Sequence, residues 1–127
     1  MKHSDITVII LLYHTPKKLI LNIKNYEDFK IIILDQSNDF DTKKFLLKRY
    51  KNIIYYKLSV KNLGFSKAQN LLIKKVKTKY FFSTQPDIFI QKKNILKLKK
   101  LLKKNENNLI AVPNINKTYK ILKKKTY

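Results

Sequence analysis

The chain carries a single glycine, Gly64, within Asn62-Leu63-Gly64-Phe65-Ser66-Lys67-Ala68-Gln69-Asn70, between a strand-like run and a helix-like one. A chain of this length and average composition would hold roughly nine glycines, so the one that remains marks a position where a side chain is hard to tolerate. At a strand-to-helix turn, glycine lets backbone N–H groups approach an anion at the helix terminus, and the amides of Asn62 and Asn70 could read a sugar or a phosphate. The alternative is an Asn-initiated turn with its glycine in a left-handed conformation. A second cluster, Gln85-Pro86-Asp87, presents an acid just past another strand-like run.

Of the eight carboxylates, Asp5, Glu27, Asp28 and Glu106 lie at strand starts or in polar loops, which leaves Asp35, Asp39, Asp41 and Asp87. Asp35 ends an apolar run, where it could accept from a ligand's N–H or hydroxyl groups or cap the following turn. Asp39 and Asp41 suit helix caps. Asp87 follows a proline that fixes its approach, and one carboxylate so placed can hold a hard divalent cation between two phosphates while the ion keeps its waters. A surface turn is the other reading of Asp87. His14 could touch a phosphate or be a strand-end histidine with no role. With no second histidine nearby and no glycine-flanked serine, neither a histidine metal pair nor a serine nucleophile is suggested. The absence of cysteine excludes disulfides, thiolate zinc sites and cysteine nucleophiles.

These residues need a scaffold, and the hydrophobic pattern supplies one. Residues 6–13 form a near-continuous apolar, β-branched run that reads as a central strand covered on both faces. Thr15 and Pro16 offer an N-cap and a first helical residue for a helix to about Asn25, with Leu19, Ile20 and Ile23 inward. Residues 30–34 give a second buried strand, and Asp39 or Asp41 can cap a helix through Tyr50. Further strands are expected over 53–58, 80–83 and 109–112, with helices after the glycine turn (Ala68, Leu71, Leu72, Val76) and over 94–104. Alternating strands and helices imply an α/β fold, a doubly wound and mostly parallel sheet with right-handed crossovers. Ligands bind such sheets beyond the carboxyl ends of the strands, at the topological switch point. Tyr13 and His14, Asp35 to Asp39, Asn62 to Asn70 and Gln85 to Asp87 all fall at that edge.

Composition bounds the partners. At 127 residues the chain makes one domain with a real core, and 44% hydrophobic residues, including eight Tyr and seven Phe, argue that it folds. No run is long enough to span a membrane, and the location expected is cytoplasmic. The net charge of +21 invites a nucleic-acid role, but among 29 basic residues only Arg49 is an arginine, the type favoured for bidentate phosphate and base contacts. Lysines are scattered through every segment, so nucleic acid is not the expected partner. An anionic membrane surface could be met through Lys92-Lys93, Lys99-Lys100, Lys103-Lys104 and Lys123-Lys124-Lys125; a solvated lysine face is the simpler reading.

The order of these pieces resembles the nucleotide-binding half of family 2 glycosyltransferases of the GT-A fold. The pieces are 6–10 leading to Tyr13-His14, then 31–34 with Asp35-Gln36-Ser37, then Asn62-Leu63-Gly64-Phe65 with Ala68 and Asn70, then Gln85-Pro86-Asp87. The resemblance spans about residues 5–115, including Ala111-Val112-Pro113, and is nearest the rhamnosyltransferase-like branch. It implies one domain over 1–115, followed by a basic tail over 116–127. It further implies that a nucleotide-diphosphate sugar meets Tyr13, His14, Asp35 and Ser37 around its base, with Asp35 at the base-reading position. Asn62, Gly64, Phe65 and Asn70 would border ribose, diphosphate and sugar. Gln85-Pro86-Asp87 stands where the family has its metal motif, with Asp87 the retained ligand to Mg2+ or Mn2+. Gln85 replaces that motif's first acid, or the asparagine common in this branch, and His14 stands where asparagine is usual.

In the family the catalytic base lies in a C-terminal half that binds a glycan or lipid-linked acceptor. Here Glu106 is the sole acid after Asp87. The expectation is therefore a chain without that half: a fragment, a truncated gene product, or a donor-binding module completed by a partner chain. The competing expectation is a basic α/β module that binds nucleic acid or an anionic membrane surface without catalysis. If the acceptor is lipid-linked, a peripheral position at the inner membrane face follows.

Overall fold

The computed structural model describes residues 2–105, 107 and 110–112. The chain divides into two compact units, Met1–Lys92 and Lys93–Tyr127. The expected boundary at 115/116 and the basic tail lie outside the described residues, as does the start of the strand expected over 109–112; residues 110–112 carry no strand.

The first unit is built on four strands, β1 (Ile6–Leu12), β2 (Lys30–Asp35), β3 (Ile53–Leu58) and β4 (Tyr80–Thr84). They are all parallel, in the order β3-β2-β1-β4. Every residue of β1 is buried, as a central parallel strand covered on both faces requires, whereas the edge strands β3 and β4 are only partly buried. Because the chain runs outward from β1 through β2 to β3 and then returns to β1's other side for β4, the winding reverses between β1 and β4.

The β1–β2 crossover is α1 (Lys17–Ile20) continued by a 3-10 helix over Leu21–Tyr26. The expected α-helix to Asn25 is thus only one turn long. Its buried residues recur every third position, Ile20, Ile23, Tyr26 and then Phe29, which matches three residues per turn rather than 3.6. Thr15 does not cap it; Pro16 holds that position, and the Thr15 hydroxyl instead accepts from the N–H of Tyr13 at 3.3 Å.

The β2–β3 crossover, α2 (Phe40–Arg49), is capped by Asp39, whose carboxylate accepts from Thr42 N–H at 2.9 Å. The third, α3 (Phe65–Ile73), covers the other sheet face. Its Ala68 and Leu72 pack with Ile9, Leu11, Ile32 and Leu34 into a buried cluster. The alternate residues, Val8, Ile10, Leu12, Ile31 and Ile33, fill the opposite face. Helices on both faces of a parallel sheet make this the doubly wound α/β architecture expected. The helix α4 (Lys92–Lys104) carries seven lysines and no acid.

Candidate functional site

At the reversal between β1 and β4, the carboxyl ends of the strands and the loops that leave them enclose a cleft of about 370 Å³. From β1 and its exit come Leu11, Leu12, Tyr13, Thr15, Pro16 and Leu19; from the turn after β2 comes Gln36. The β3–α3 turn contributes Asn62, Gly64 and Phe65, and the segment after β4 contributes Gln85, Pro86 and Asp87.

The β3–α3 turn owes its shape to Gly64, at φ +79° and ψ 164°, a conformation nearly closed to L side chains. Its N–H donates to the Asn62 side-chain oxygen at 2.8 Å, and the N–H of Leu63 donates to Gln36 Oε1 at 2.6 Å. No side chain caps α3, and the first helical N–H to find an acceptor is that of Ala68, on Gly64's carbonyl. The N–H groups of Phe65, Ser66 and Lys67 have no acceptor among the described residues, and no acid lies in that turn. Unpaired N–H groups at the positive end of a helix favour an anion.

Asp87, also in the lining, is exposed, and Asn22 Nδ2 steadies the segment by donating to the Pro86 carbonyl at 2.9 Å. Among the described residues no three His, Cys, Asp or Glu side chains cluster to hold a metal. Asp87, with the Gln85 amide oxygen in the same cleft, fits a hard cation that takes most of its oxygens from a ligand's phosphates and water. It does not fit an ion caged by protein alone.

Six of the residues expected from sequence line this cleft: Tyr13, Asn62, Gly64, Phe65, Gln85 and Asp87. Four do not. His14 is exposed at φ +46°, its ring edge-on to Tyr13 at 4.5 Å. That left-handed conformation is tolerated best by asparagine, aspartate and histidine among side-chain residues, so the position suits either type. Asn70 is exposed on α3. Asp35, only 1% exposed, is occupied internally: Oδ1 accepts from the Ser37 N–H at 3.0 Å and from the Ser37 hydroxyl, and Oδ2 accepts from the Tyr56 hydroxyl at 2.9 Å. Burial, and then the charge of Asp35, push Tyr56's pKa far above its usual value, so this phenol stays a donor.

Sequence reasoning missed Gln36 and Tyr56 as parts of this arrangement. Gln36 is 7% exposed and bonds a loop 27 residues away, a pairing with no local signal. Tyr56 meets Asp35 because β3 slips register beside Ile31/Ile32. Ile31 pairs Ile53 but Ile32 pairs Tyr55, leaving Ile54 extra and carrying Tyr56 onto the face of Asp35.

The family model for glycosyl transferase family 2 matches residues 8–126. No curated protein matches the chain by sequence. Among solved structures, that described as "Crystal structure of S. aureus TarS" aligns with a TM-score of 0.63 at 15% identity, over 87% of this chain. The alignment covers 23% of the TarS chain, so the present chain spans less than a quarter of that protein's length. At such identity the likeness speaks for the fold, which is the GT-A arrangement expected. With the model covering nearly the whole sequence, the chain belongs to glycosyl transferase family 2.

Proposed function

We propose that this chain is the donor-binding, N-terminal part of a glycosyltransferase of the rhamnosyltransferase-like branch. The cleft takes a nucleotide-diphosphate sugar, and the sugar passes to a hydroxyl of a glycan or lipid-linked acceptor. The observation that carries the reading is that one cleft at the switch point joins the unpaired N–H groups opening α3 to the carboxylate of Asp87. The first suit phosphate oxygens; the second suits a cation that accompanies them. Asn62 holds Gly64 in place, while Tyr13 and Phe65, each about half exposed, offer aromatic faces at the rim for the planar and apolar parts of the donor. Mg2+ or Mn2+, held by Asp87 with Gln85, would supply charge neutralisation for the departing nucleoside diphosphate. The catalytic base would come from an acceptor-binding half, in the same polypeptide or in a partner chain.

Calorimetric titration with UDP and dTDP, with and without Mn2+, tests the reading. Metal-dependent binding is expected, with little binding of Mn2+ when nucleotide is omitted. Asp87→Ala should weaken the metal-dependent part by tenfold or more while leaving circular dichroism unchanged, because Asp87 is exposed and its side chain makes no hydrogen bond or ion pair among the described residues. A variant that binds as tightly as the wild type would remove Asp87 from the site.

A second reading rests on α4, whose lysines meet no acid on their own helix. An anionic membrane surface fits that face, consistent with a lipid-linked acceptor and a peripheral cytoplasmic position. Among the described residues no helix is long and apolar enough to cross a membrane. Vesicle binding that falls steeply with salt, without competition from nucleoside diphosphates, would favour this over the cleft as the primary activity.

A further inference from the structure

The 3-10 helix of the β1–β2 crossover repeats every three residues, and burial follows the repeat: half-buried Asn22, Asn25 and Asp28 each stand one position before buried Ile23, Tyr26 and Phe29. Three residues per turn stack Asn22, Asn25 and Asp28 along one edge, where an α-helix would carry Asp28 about 120° round from Asn22. The segment that follows β4 is fastened to that edge. Asn22 Nδ2 donates to the Pro86 carbonyl at 2.9 Å, and Asp28 pairs with Lys92. Buried Tyr26 reaches the end of β4 itself, its hydroxyl 3.3 Å from that of Thr84.

The Asn22 bond falls on the peptide that aims Asp87. Ile88 N–H donates to the Gln85 carbonyl at 3.0 Å, closing a four-residue turn whose central peptide joins Pro86 to Asp87. In such turns the central peptide takes either of two orientations about 180° apart, and one of them requires a positive φ at the third residue. Aspartate is among the residues that tolerate a positive φ, so this flip is open to Asp87. Among the described residues only His14, Asn38 and Gly64 take a positive φ, so Asp87 stands in the other orientation. The carbonyl that Asn22 holds belongs to this central peptide, and because the peptide is planar, flipping it would swing the oxygen away from the amide. We propose that Asn22 is a positioning residue for the metal ligand: by pinning the Pro86–Asp87 peptide it fixes the direction from which the Asp87 carboxylate meets the cation of a nucleoside diphosphate. This rests on the proposed donor site. The Asp87 side chain makes no hydrogen bond or ion pair among the described residues, so its aim comes from the backbone. The Asp28–Lys92 pair fastens the same segment beyond the turn and leaves that peptide untouched.

The experiment is calorimetry on the full chain with UDP, in the presence and absence of Mn2+, for the wild type, Asn22→Ala and Asp28→Asn. The readout is the factor by which Mn2+ tightens UDP. Partial unfolding weakens both titrations alike and cancels from that factor, so a merely structural role would not move it. Asn22→Ala should lower it by about tenfold, the common cost of removing a group that orients a metal ligand. Asp28→Asn should leave it within about twofold, because an exposed ion pair contributes little. A factor unchanged in Asn22→Ala, or lowered equally in Asp28→Asn, overturns the assignment and leaves the donor site standing. A folded wild type that binds no UDP, or binds it without regard to Mn2+, overturns it together with the proposed role of Asp87. Should Asn22→Ala not fold, Asn22→Leu, which keeps much of the volume without the donor, takes its place and is judged by the same factor.

Discussion

Replacing Gly64 by alanine isolates the cost of a backbone conformation, because a Cβ built there meets no heavy atom within 4 Å. Steric collision is therefore absent, and what remains is the strain of holding an L residue at φ +79°, ψ 164°. A non-glycine residue in that region costs about 1–3 kcal/mol. Part of this is offset because alanine also restricts the unfolded chain, by about 0.4–1 kcal/mol. A net loss of roughly 1–2 kcal/mol follows, a five- to thirtyfold drop in the folding constant. Urea unfolding followed by far-ultraviolet circular dichroism would read it as a lower midpoint at unchanged slope. The strain can also be relieved by rotating the 63–65 peptides, which would break the Asn62–Gly64 bond and turn the N–H groups of α3 away. Stability would then fall less and nucleoside diphosphate affinity more. A Gly64→Ala protein equal to the wild type in both midpoint and affinity would refute the argument that this turn requires glycine.

Two more predictions probe the polar supports. Tyr56→Phe removes the donor from Asp35 Oδ2 and should cost about 1–3 kcal/mol, seen as a lower thermal midpoint. Since the native phenol is raised above its unfolded value, the stability it contributes is complete below about pH 10 and declines as pH rises past it. Alkaline unfolding should therefore be steeper in the wild type than in Tyr56→Phe. Asp39→Ala removes the cap of α2 and should cost about 1 kcal/mol at neutral pH. The Thr42 hydroxyl and then the Thr42 N–H hold Asp39's pKa below the usual carboxylate range. The difference between wild type and variant should persist above about pH 4 and vanish as pH falls through that lowered native value, measured by melts across the acid range.

Much of this fold is legible locally. The near-continuous apolar run at 6–13 and the run at 30–34 read as buried strands, and they correspond to β1 (Ile6–Leu12) and β2 (Lys30–Asp35). The α3 stripe is visible at Ala68 and Leu72, and both side chains are buried. The helix expected from Pro16 to Asn25 became one α-turn and a 3-10 helix because its apolar residues recur at intervals of three, a spacing that a search for 3.6-residue periodicity absorbs without notice.

Half of the candidate site was legible for the same reason. Gly64 stands out by composition, Asp87 by its proline and its place after a strand, and Tyr13 by its place at the end of another. Asp35 was legible as a strand-end acid, but not the donors that occupy it.

The sequence by itself determined an alternation of buried strands and amphipathic helices, and hence a parallel sheet whose loops converge at one edge. It also determined where a side chain is excluded, at Gly64, since conformational tolerance belongs to the residue. Which polar group faces the cleft was decided only in three dimensions. A one-residue slip of β3 against β2 carries Tyr56 rather than Tyr55 to Asp35, and a bond across 27 residues ties the Gln36 amide to Leu63. Strand register and long-range hydrogen bonds are properties of paired segments, so no reading of either segment alone contains them.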